Sequence, residues 1–81
     1  MIIEVTVPKW GLTMEKAEVV KWLKNEGDKV EKGEQLVEMM TEKITNYIEA
    51  PESGILKRIF VKEGETAQVS AVIAEIEIEG G

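Results

Sequence analysis

The sequence contains neither cysteine nor histidine. Without cysteine, a disulfide framework and a thiolate metal site are impossible, and this composition is typical of a reducing compartment. Without histidine, the commonest general base and the commonest metal ligand are missing. Two serines, Ser53 and Ser70, and one aspartate, Asp28, remain for other catalytic schemes. We therefore expect no catalytic residues and no metal centre in this chain.

Long apolar runs and an excess of basic residues are also missing. No apolar stretch approaches the roughly 18 residues of a membrane span, and the first four residues lack the basic start and apolar core of a signal peptide. Sixteen acidic residues against ten basic ones give a net charge of -6. This charge argues against nucleic acid or an anionic membrane as partner. We expect a cytoplasmic protein.

The 81 residues provide one small domain rich in β-type segments. Segment 17–24 also fits helical spacing, with Thr13 as a possible N-cap, but Val19, Val20 and Trp22 favour a strand. Residues 9–14 read as a loop, and turns are expected at Gly27, Gly33, Gly54 and Gly64. Strands are predicted over residues 2–7, 17–24, 29–30, 35–40, 44–50, 55–61 and 74–79.

The second half of the chain weakly repeats the first. A shift of 37 positions places residues 63–65 on residues 26–28 and Ile73 on Leu36, as the printed sequence shows. This similarity predicts two related β-units packed about an approximate twofold axis. The fold class is therefore all-β, as a small sandwich or flattened barrel.

Alternation along the last strand assigns its faces. Ala74, Ile76 and Ile78 should point inward, because the opposite register would bury a row of glutamates. By the 37-residue shift, Val37 and Met39 should also point inward. Further core residues are predicted at Ile55, Ile59 and Val61.

Residues 41–44 interrupt two β-type runs and carry Lys43. A lysine at a hairpin tip is usually only a solvated charge. However, residues 37–44, followed by residues 48–51, resemble the lipoyl-lysine hairpin of the lipoyl domains of 2-oxo acid dehydrogenase complexes. Their usual core is Glu-Thr-Asp-Lys-Ala. Here Met40, Glu42 and Ile44 replace the first, third and fifth residues, while Thr41 and Lys43 match.

The resemblance covers nearly the whole chain, including the first-loop signature at residues 8–14 and the turns at 26–30, 32–33, 50–54 and 61–65. It implies a flattened β-barrel of two four-stranded antiparallel sheets with quasi-twofold symmetry, a barrel-sandwich hybrid. Residues 1–79 would form the lipoyl domain, and residues 80–81 its end or the start of a linker. Trp10, Gly11 and the Glu-Lys-Ile turn are most similar to acetoin dehydrogenase acyltransferases, although pyruvate and branched-chain complexes stay open.

By this resemblance, Lys43 carries lipoic acid as an amide, and the domain is a non-catalytic carrier. The implied partners are a lipoate-attaching enzyme, a thiamine-diphosphate dehydrogenase, an acyltransferase core and dihydrolipoyl dehydrogenase. The isolated domain is expected to be monomeric. Candidate recognition residues are Thr41, Glu42 and Ile44 in the hairpin and Trp10, Gly11, Leu12 and Thr13 in the first loop. Core closure by Trp10 and Leu12, and packing by Met39 and Met40, are alternatives for those residues.

Two other interpretations remain open from the sequence. A biotinyl carrier domain shares this fold and tip lysine, but that family flanks the lysine with methionine on both sides. An unmodified β-sandwich interaction module would leave Lys43 as a surface charge.

Overall fold

The computed structural model describes residues 1–11, 14–41 and 44–78. Within these ranges the chain contains strands and no helix, and therefore no helix that could cross a membrane. The elements are β1 (Ile2–Thr6), β2 (Lys16–Trp22), β3 (Lys29–Val30), β4 (Gln35–Thr41), β5 (Ile44–Glu49), β6 (Gly54–Ile59), β7 (Thr66–Gln68) and β8 (Val72–Glu77).

Strand β2 settles the helix or strand alternative for residues 17–24 in favour of the strand. Ala17, Val19 and Trp22 are buried, while Glu18 and Lys21 face solvent. The register of β2 against β4 shifts between Val19 and Lys21, which changes the strict alternation at that point. The preference of β-branched residues for strands therefore predicted this segment correctly.

The strands form two four-stranded antiparallel sheets, with the orders β1-β8-β6-β3 and β5-β4-β2-β7. Among the described strands, none of one sheet pairs with a strand of the other, so the sheets pack as a sandwich. The predicted all-β fold with two four-stranded antiparallel sheets is confirmed. The sheets do not close into a true barrel.

The two halves of the chain are related by an approximate twofold axis, as the repeat predicted. Exchanging each of the first four strands with the strand four places later converts the first sheet order into the second. Hydrogen bonds follow the 37-residue shift: Gly27 N–H donates to the Leu56 carbonyl at 2.7 Å, and Gly64 N–H to the Val19 carbonyl at 2.8 Å. Both glycines adopt positive φ angles, 92° and 86°. The sequence repeat is therefore a repeat of turn geometry.

The core lies between the inner faces of the sheets. Val37, Met39 and Ile76 are fully buried and Ala74 is buried with them, as predicted, while Ile78 is half-buried. No polar or charged residue is buried in the described part of the chain. The core comprises Val5, Val7, Ala17, Val19, Trp22, Val30, Leu36, Val37, Met39, Ile48, Ala50, Leu56, Ala67, Ile73, Ala74 and Ile76.

Two predictions for β6 were wrong. Leu56, and not Ile55, is the fully buried residue, and the register shifts between Leu56 and Arg58 where β6 meets β8. Ile59 and Val61 only pack against the core as partly buried residues. Gly54 begins β6 and does not form a turn. Its place reflects close packing, because a Cβ there would overlap the Glu77 carbonyl oxygen.

The first and last described residues meet at one end of the sandwich. Ile78 N–H donates to the Met1 carbonyl at 2.9 Å, next to the paired Ile2 and Glu77. The other end of β1 and β8, at Thr6 and Val72, adjoins the turn before β8, which hydrogen-bonds through residue 69 to Glu15. The hairpin between β4 and β5 lies toward this second end, beside Lys16 and Glu18 of β2.

Candidate functional site

Strands β4 and β5 form a hairpin with Lys43 in its connection. Met40 pairs with Thr45, and Thr41 pairs with Ile44 in antiparallel register. Only two residues of the sequence, Glu42 and Lys43, join this last pair, and both lie outside the described residues. The candidate recognition residues Thr41 and Ile44 are thus the strand residues on either side of this connection.

The hairpin combines a buried face with an apolar exposed edge. Met39 of β4 and Ile48 of β5 are buried in the core and fix the two strands to the sandwich. Met40 and Ile44, in contrast, leave 37% and 61% of their surface exposed. The interpretation of the Met39 and Met40 pair as packing is therefore confirmed for Met39, and for the more exposed Met40 it stays a prediction. An apolar surface next to Lys43 is available for contact.

Two hydrogen bonds connect the described residues of the first loop. The Met14 N–H donates to the Gly11 carbonyl at 3.1 Å, and the Trp10 N–H donates to the Met14 sulfur at 3.3 Å. Trp10 and Met14 are partly buried and pack against the core. Core closure by Trp10 is therefore confirmed. Leu12 and Thr13 lie outside the described residues, so their predicted roles stay predictions.

The first loop and the hairpin border one open groove of about 520 Å³. Trp10 and Gly11 line it from the loop side, and Thr41 and Ile44 from the hairpin side. The structure thus brings together the described candidate recognition residues, which are separated by about 30 positions in the sequence. The remaining lining residues are Met14, Glu15, Lys16, Ala17, Glu18, Met40, Asn46 and Thr66.

Apolar, uncharged polar and charged residues all line the groove. Trp10, Met14, Met40 and Ile44 supply aromatic, thioether and aliphatic surface, whereas charge comes from neighbouring residues on and before β2. In the described part of the chain, no cluster of three acidic, histidine or cysteine side chains could hold a metal ion. The described lining is therefore mixed in polarity and does not by itself select one class of ligand.

Several groove residues were not predicted from the sequence. Met14, Glu18, Asn46 and Thr66 come from three separate strands and a loop. Only the pairing of β2 with β4 and β7, and of β4 with β5, brings the three strands together. The alternation of β2 does indicate that Glu18 faces outward. The order of the strands in the sheet determines which other outward residues lie beside Glu18. The alternation of residues along one strand does not reveal that order.

A comparison with protein families identifies this architecture. Residues 3–76 match the Biotin_lipoyl family, described as "Biotin-requiring enzyme". The chain belongs to the Biotin_lipoyl family. This match covers the hairpin, the first loop and both sheets.

Curated relatives of this Biotin_lipoyl domain are acyltransferase components. The chain is 45% identical, over 93% of its length, to the dihydrolipoyllysine-residue acetyltransferase component of the acetoin cleaving system of Pseudomonas putida. It is 41% identical, over 99% of its length, to the corresponding component of the pyruvate dehydrogenase complex of Rhizobium meliloti. The chain spans only 20% and 18% of these two relatives.

The fold is also that of a solved lipoyl domain. The solution structure of the lipoyl domain of the 2-oxoglutarate dehydrogenase complex from Azotobacter vinelandii superposes with a TM-score of 0.78. The alignment covers 96% of this chain and 99% of that domain, at 23% identity. The predicted resemblance to the lipoyl domains is confirmed at the level of the Biotin_lipoyl family and of the fold.

Proposed function

We propose that this domain carries lipoic acid in amide linkage on Lys43 and serves as the mobile carrier of a 2-oxo acid or acetoin dehydrogenase complex. The observation that carries the proposal is the pairing of Thr41 with Ile44, which leaves Glu42 and Lys43 as the whole connection of a two-stranded hairpin. A lysine in such a connection is typically accessible to enzymes, while the paired strands hold its neighbours in a fixed shape.

The names of the relatives support the choice of cofactor. They describe a dihydrolipoyllysine residue in proteins about five times as long as this chain. When bound, a lipoyl group supplies a dithiolane that accepts acyl groups and electrons. The chain itself lacks cysteine and histidine, so its own residues supply position and recognition. In the attachment, the Lys43 Nζ condenses with the lipoate carboxyl, water is lost overall, and the lysine loses its charge.

We assign recognition to both sides of the groove. Thr41, Glu42 and Ile44 would present Lys43 to the lipoate-attaching enzyme. Trp10, Gly11, Leu12 and Thr13 would contact the thiamine-diphosphate dehydrogenase. The support is that the described members of these two sets border one groove.

The same proposal includes the wider setting of the domain. Residues 1–79 would form the carrier domain and residues 80–81 its end or the start of a linker. The hydrogen bond between Ile78 and Met1 supports the pairing of the two ends of the described chain in one folded unit. The further partners would be an acyltransferase core and dihydrolipoyl dehydrogenase, in the cytoplasm, with a monomeric isolated domain. Tethering by a flexible linker would raise the effective concentration of the carried group to about the millimolar range.

A parallel modification experiment tests the choice between lipoyl and biotinyl carrier. The unmodified domain is incubated separately with a lipoate-attaching enzyme and with a biotin ligase, and the intact mass is measured. We expect complete modification by lipoate and none by biotin, because Glu42 and Ile44 flank Lys43 instead of two methionines. A biotin adduct without a lipoyl adduct would contradict the proposal, and the absence of both would favour an unmodified interaction module.

The Lys43→Ala variant provides the first mutational prediction. Lipoylation and reductive acylation should both be abolished, while circular dichroism shows an unchanged fold. Lys57→Ala is the matched control, because it removes the same charge from an exposed side chain of β6. The control should be modified at the rate of the unmutated domain. Lipoylation of Lys43→Ala at an undiminished rate would show that another lysine is the acceptor.

Reductive acylation distinguishes the substrate routes. The lipoylated domain is offered to acetoin, pyruvate and 2-oxoglutarate dehydrogenase components, and the rates of acyl transfer are compared. The residue pattern at Trp10, Gly11 and Ile44 predicts the highest rate with the acetoin component. A higher rate with either of the other two would contradict this assignment without affecting the carrier role.

A further inference from the structure

A second cleft, with a volume of about 310 Å³, lies between the outer edges of the two sheets. Strand β1 ends the order of one sheet and β5 ends the order of the other, so each pairs with a single neighbour among the described strands. The cleft lies between these two edge strands, and its described lining shares no residue with the groove beside the first loop. It is lined by Glu4, Val5, Thr6, Pro8, Tyr47, Ile48, Glu49 and Pro51.

The cleft lies on the approximate twofold axis of the domain. The hydrogen bonds accepted by the carbonyls of Val7 and Ala50, both 2.9 Å long, are equivalent to each other under this symmetry. Each strand contributes one buried aliphatic residue to the floor of the cleft, Val5 or Ile48, and is followed by a proline. A shift of 43 positions in the printed sequence relates the two halves of the lining: Glu4 to Tyr47, Val5 to Ile48, Thr6 to Glu49 and Pro8 to Pro51.

The surface above this floor is apolar and acidic. The Tyr47 side chain is 43% exposed, and both prolines of the lining are exposed. Glu4 and Glu49, one from each strand, are also exposed, and neither forms an ion pair with a described residue. The described lining includes no basic residue. A positively charged group in the cleft therefore meets two carboxylates and an aromatic ring, whose face attracts cations.

Glu4 holds its charge in an unfavourable place. It lies directly opposite Glu75 in the pairing of β1 with β8, and like charges at such positions destabilise a sheet. Arg58 of β6 lies opposite Glu75 on its other side, so the basic cross-strand neighbour belongs to Glu75 and not to Glu4. A positive charge supplied from outside the domain beside Glu4 would offset this repulsion.

We propose that the cleft is a docking site for an extended, arginine-containing segment of a partner protein. The segment lies along β1 and β5, because edge strands present unpaired backbone groups to which an added strand can bind. Its guanidinium groups bind the Glu4 and Glu49 carboxylates and stack on the Tyr47 ring, which a planar guanidinium does better than an ammonium group. The net charge of -6 disfavours a second copy of this chain as the occupant. This site does not depend on Lys43 or on the proposed carrier function.

Nuclear magnetic resonance with two peptides tests the cleft. The unmodified domain, labelled with ¹⁵N, is titrated with a short blocked peptide of alternating valine and arginine, and separately with a peptide in which glutamine replaces every arginine. The arginine peptide should cause saturable shifts of the amides of residues 4–6 and 47–49. The glutamine peptide should bind about tenfold more weakly, because it lacks the charge-assisted hydrogen bonds. The Trp22 indole, which donates to the Val61 carbonyl at 2.8 Å, should not shift.

Three results of this titration would overturn the proposal. Equal binding of the two peptides would show that the cleft does not select a basic segment. Shifts confined to other surfaces would place the peptide elsewhere. The absence of saturable shifts up to about 5 mM peptide, a range that includes weak complexes, would leave the edge glutamates with the role of opposing aggregation between sheet edges.

A matched pair of variants connects binding to the cleft. Glu49→Gln should weaken binding of the arginine peptide about threefold, since one of two exposed carboxylates is neutralised. Glu18→Gln is the control, because it removes the same charge from an exposed residue of β2 that forms no ion pair with a described residue and does not line the cleft. Equal weakening by both substitutions would indicate a general attraction to an acidic protein and would contradict the site.

The Glu4→Gln variant gives two readouts of opposite sign. The arginine peptide should bind about threefold more weakly, whereas the midpoint of urea unfolding should rise because the repulsion from Glu75 is removed. A glutamate that only opposes aggregation would change the unfolding midpoint and leave peptide binding unaltered. Unaltered peptide binding by this variant would therefore overturn the role of Glu4 in the cleft.

Discussion

At the scale of single residues, the approximate twofold axis relates two turn positions that hold different residue types. Gly33 has a φ of 88°, and Ser70, its equivalent after the 37-residue shift, has a φ of 72°. Their N–H groups make equivalent bonds, from Gly33 to the Ala50 carbonyl and from Ser70 to the Val7 carbonyl, both at 2.9 Å. A left-handed conformation favours glycine, so Ser70 is under backbone strain in a turn that the chain otherwise builds with glycine.

We predict that Ser70→Gly stabilises the domain. The free energy of unfolding should rise by about 0.5–1 kcal/mol, because the left-handed strain of roughly 1–2 kcal/mol exceeds the entropic cost of glycine. Urea unfolding measures this change. The reciprocal control Gly33→Ser should lower the free energy of unfolding, although a Cβ at Gly33 would meet open space. A destabilised Ser70→Gly variant would contradict the strain at this turn.

Gly54 has a different role from the turn glycines. A Cβ at this position would overlap the Glu77 carbonyl oxygen and lie 2.9 Å from Cγ2 of Ile76. We therefore predict that Gly54→Ala lowers the free energy of unfolding by about 1–3 kcal/mol through overpacking. Gly11→Ala is the control for this measurement, because a Cβ there has no atom of the described residues within 4 Å. Equal stability of the two variants would show that β6 and β8 can separate without cost.

At the scale of elements, an ion pair connects the segment after β2 to the segment before β4. The Lys24 Nζ lies 2.8 Å from the Glu34 Oε2. This hydrogen bond raises the pKa of Lys24 and lowers the pKa of Glu34, and the Glu31 N–H, donating to Glu34, lowers the pKa of Glu34 further. Because the Glu34 pKa is lower in the folded state, its stabilisation is present at neutral pH and is lost as the pH falls through that lowered value.

The Lys24→Met variant should therefore have a weaker acid dependence of stability. At pH 7 it should unfold at lower urea concentration than the unmutated domain, and this difference should shrink below the ordinary pKa of a glutamate. Urea unfolding at a series of pH values measures it. High salt should also reduce the difference in stability between the two proteins. The ion pair is partly exposed, and at about 1 M salt the attraction between exposed charges is screened beyond about 3 Å. A stability difference that does not change with pH would show that the substitution acts through packing and not through the ion pair.

The elements also show how far the sequence determines the fold. The β-branched residues of β2 predicted a strand correctly against a plausible helical spacing, because local preference and tertiary pairing agree there. In β6, alternation predicted Ile55 as the core residue, whereas Leu56 is buried beside a register shift at Arg58. A register shift of this kind depends on the partner strand β8, so the pattern of β6 alone could not reveal it.

At the scale of the whole molecule, the internal repeat was visible in the sequence but the groove was not. Gly27 and Gly64 showed the repeat because both turns require positive φ angles. The groove joins Trp10 and Gly11 to Thr41 and Ile44 across the chain, and it depends on the order β5-β4-β2-β7. Residue patterns do not contain strand order, so they could not show that these residues are neighbours.

The twofold arrangement also places the hairpin that contains Lys43 away from Met1 and Ile78. Strands β4 and β5 meet in the hairpin of Lys43, whereas their equivalents β8 and β1 meet at Ile78 and Met1. Six described pairs of residues hold the hairpin strands together. The proposed attachment hairpin therefore lies toward the opposite end of the sandwich from Met1 and Ile78.

Peptide mapping of the lipoylated domain tests the central claim most directly. The chain contains nine lysines, and Lys43 is the one between the paired residues Thr41 and Ile44. After treatment with a lipoate-attaching enzyme, proteolysis and tandem mass spectrometry should locate one lipoyl group per molecule, on Lys43 alone. A lipoyl group on any other lysine, or a mixture spread over several lysines, would contradict the assignment of this hairpin as the carrier site.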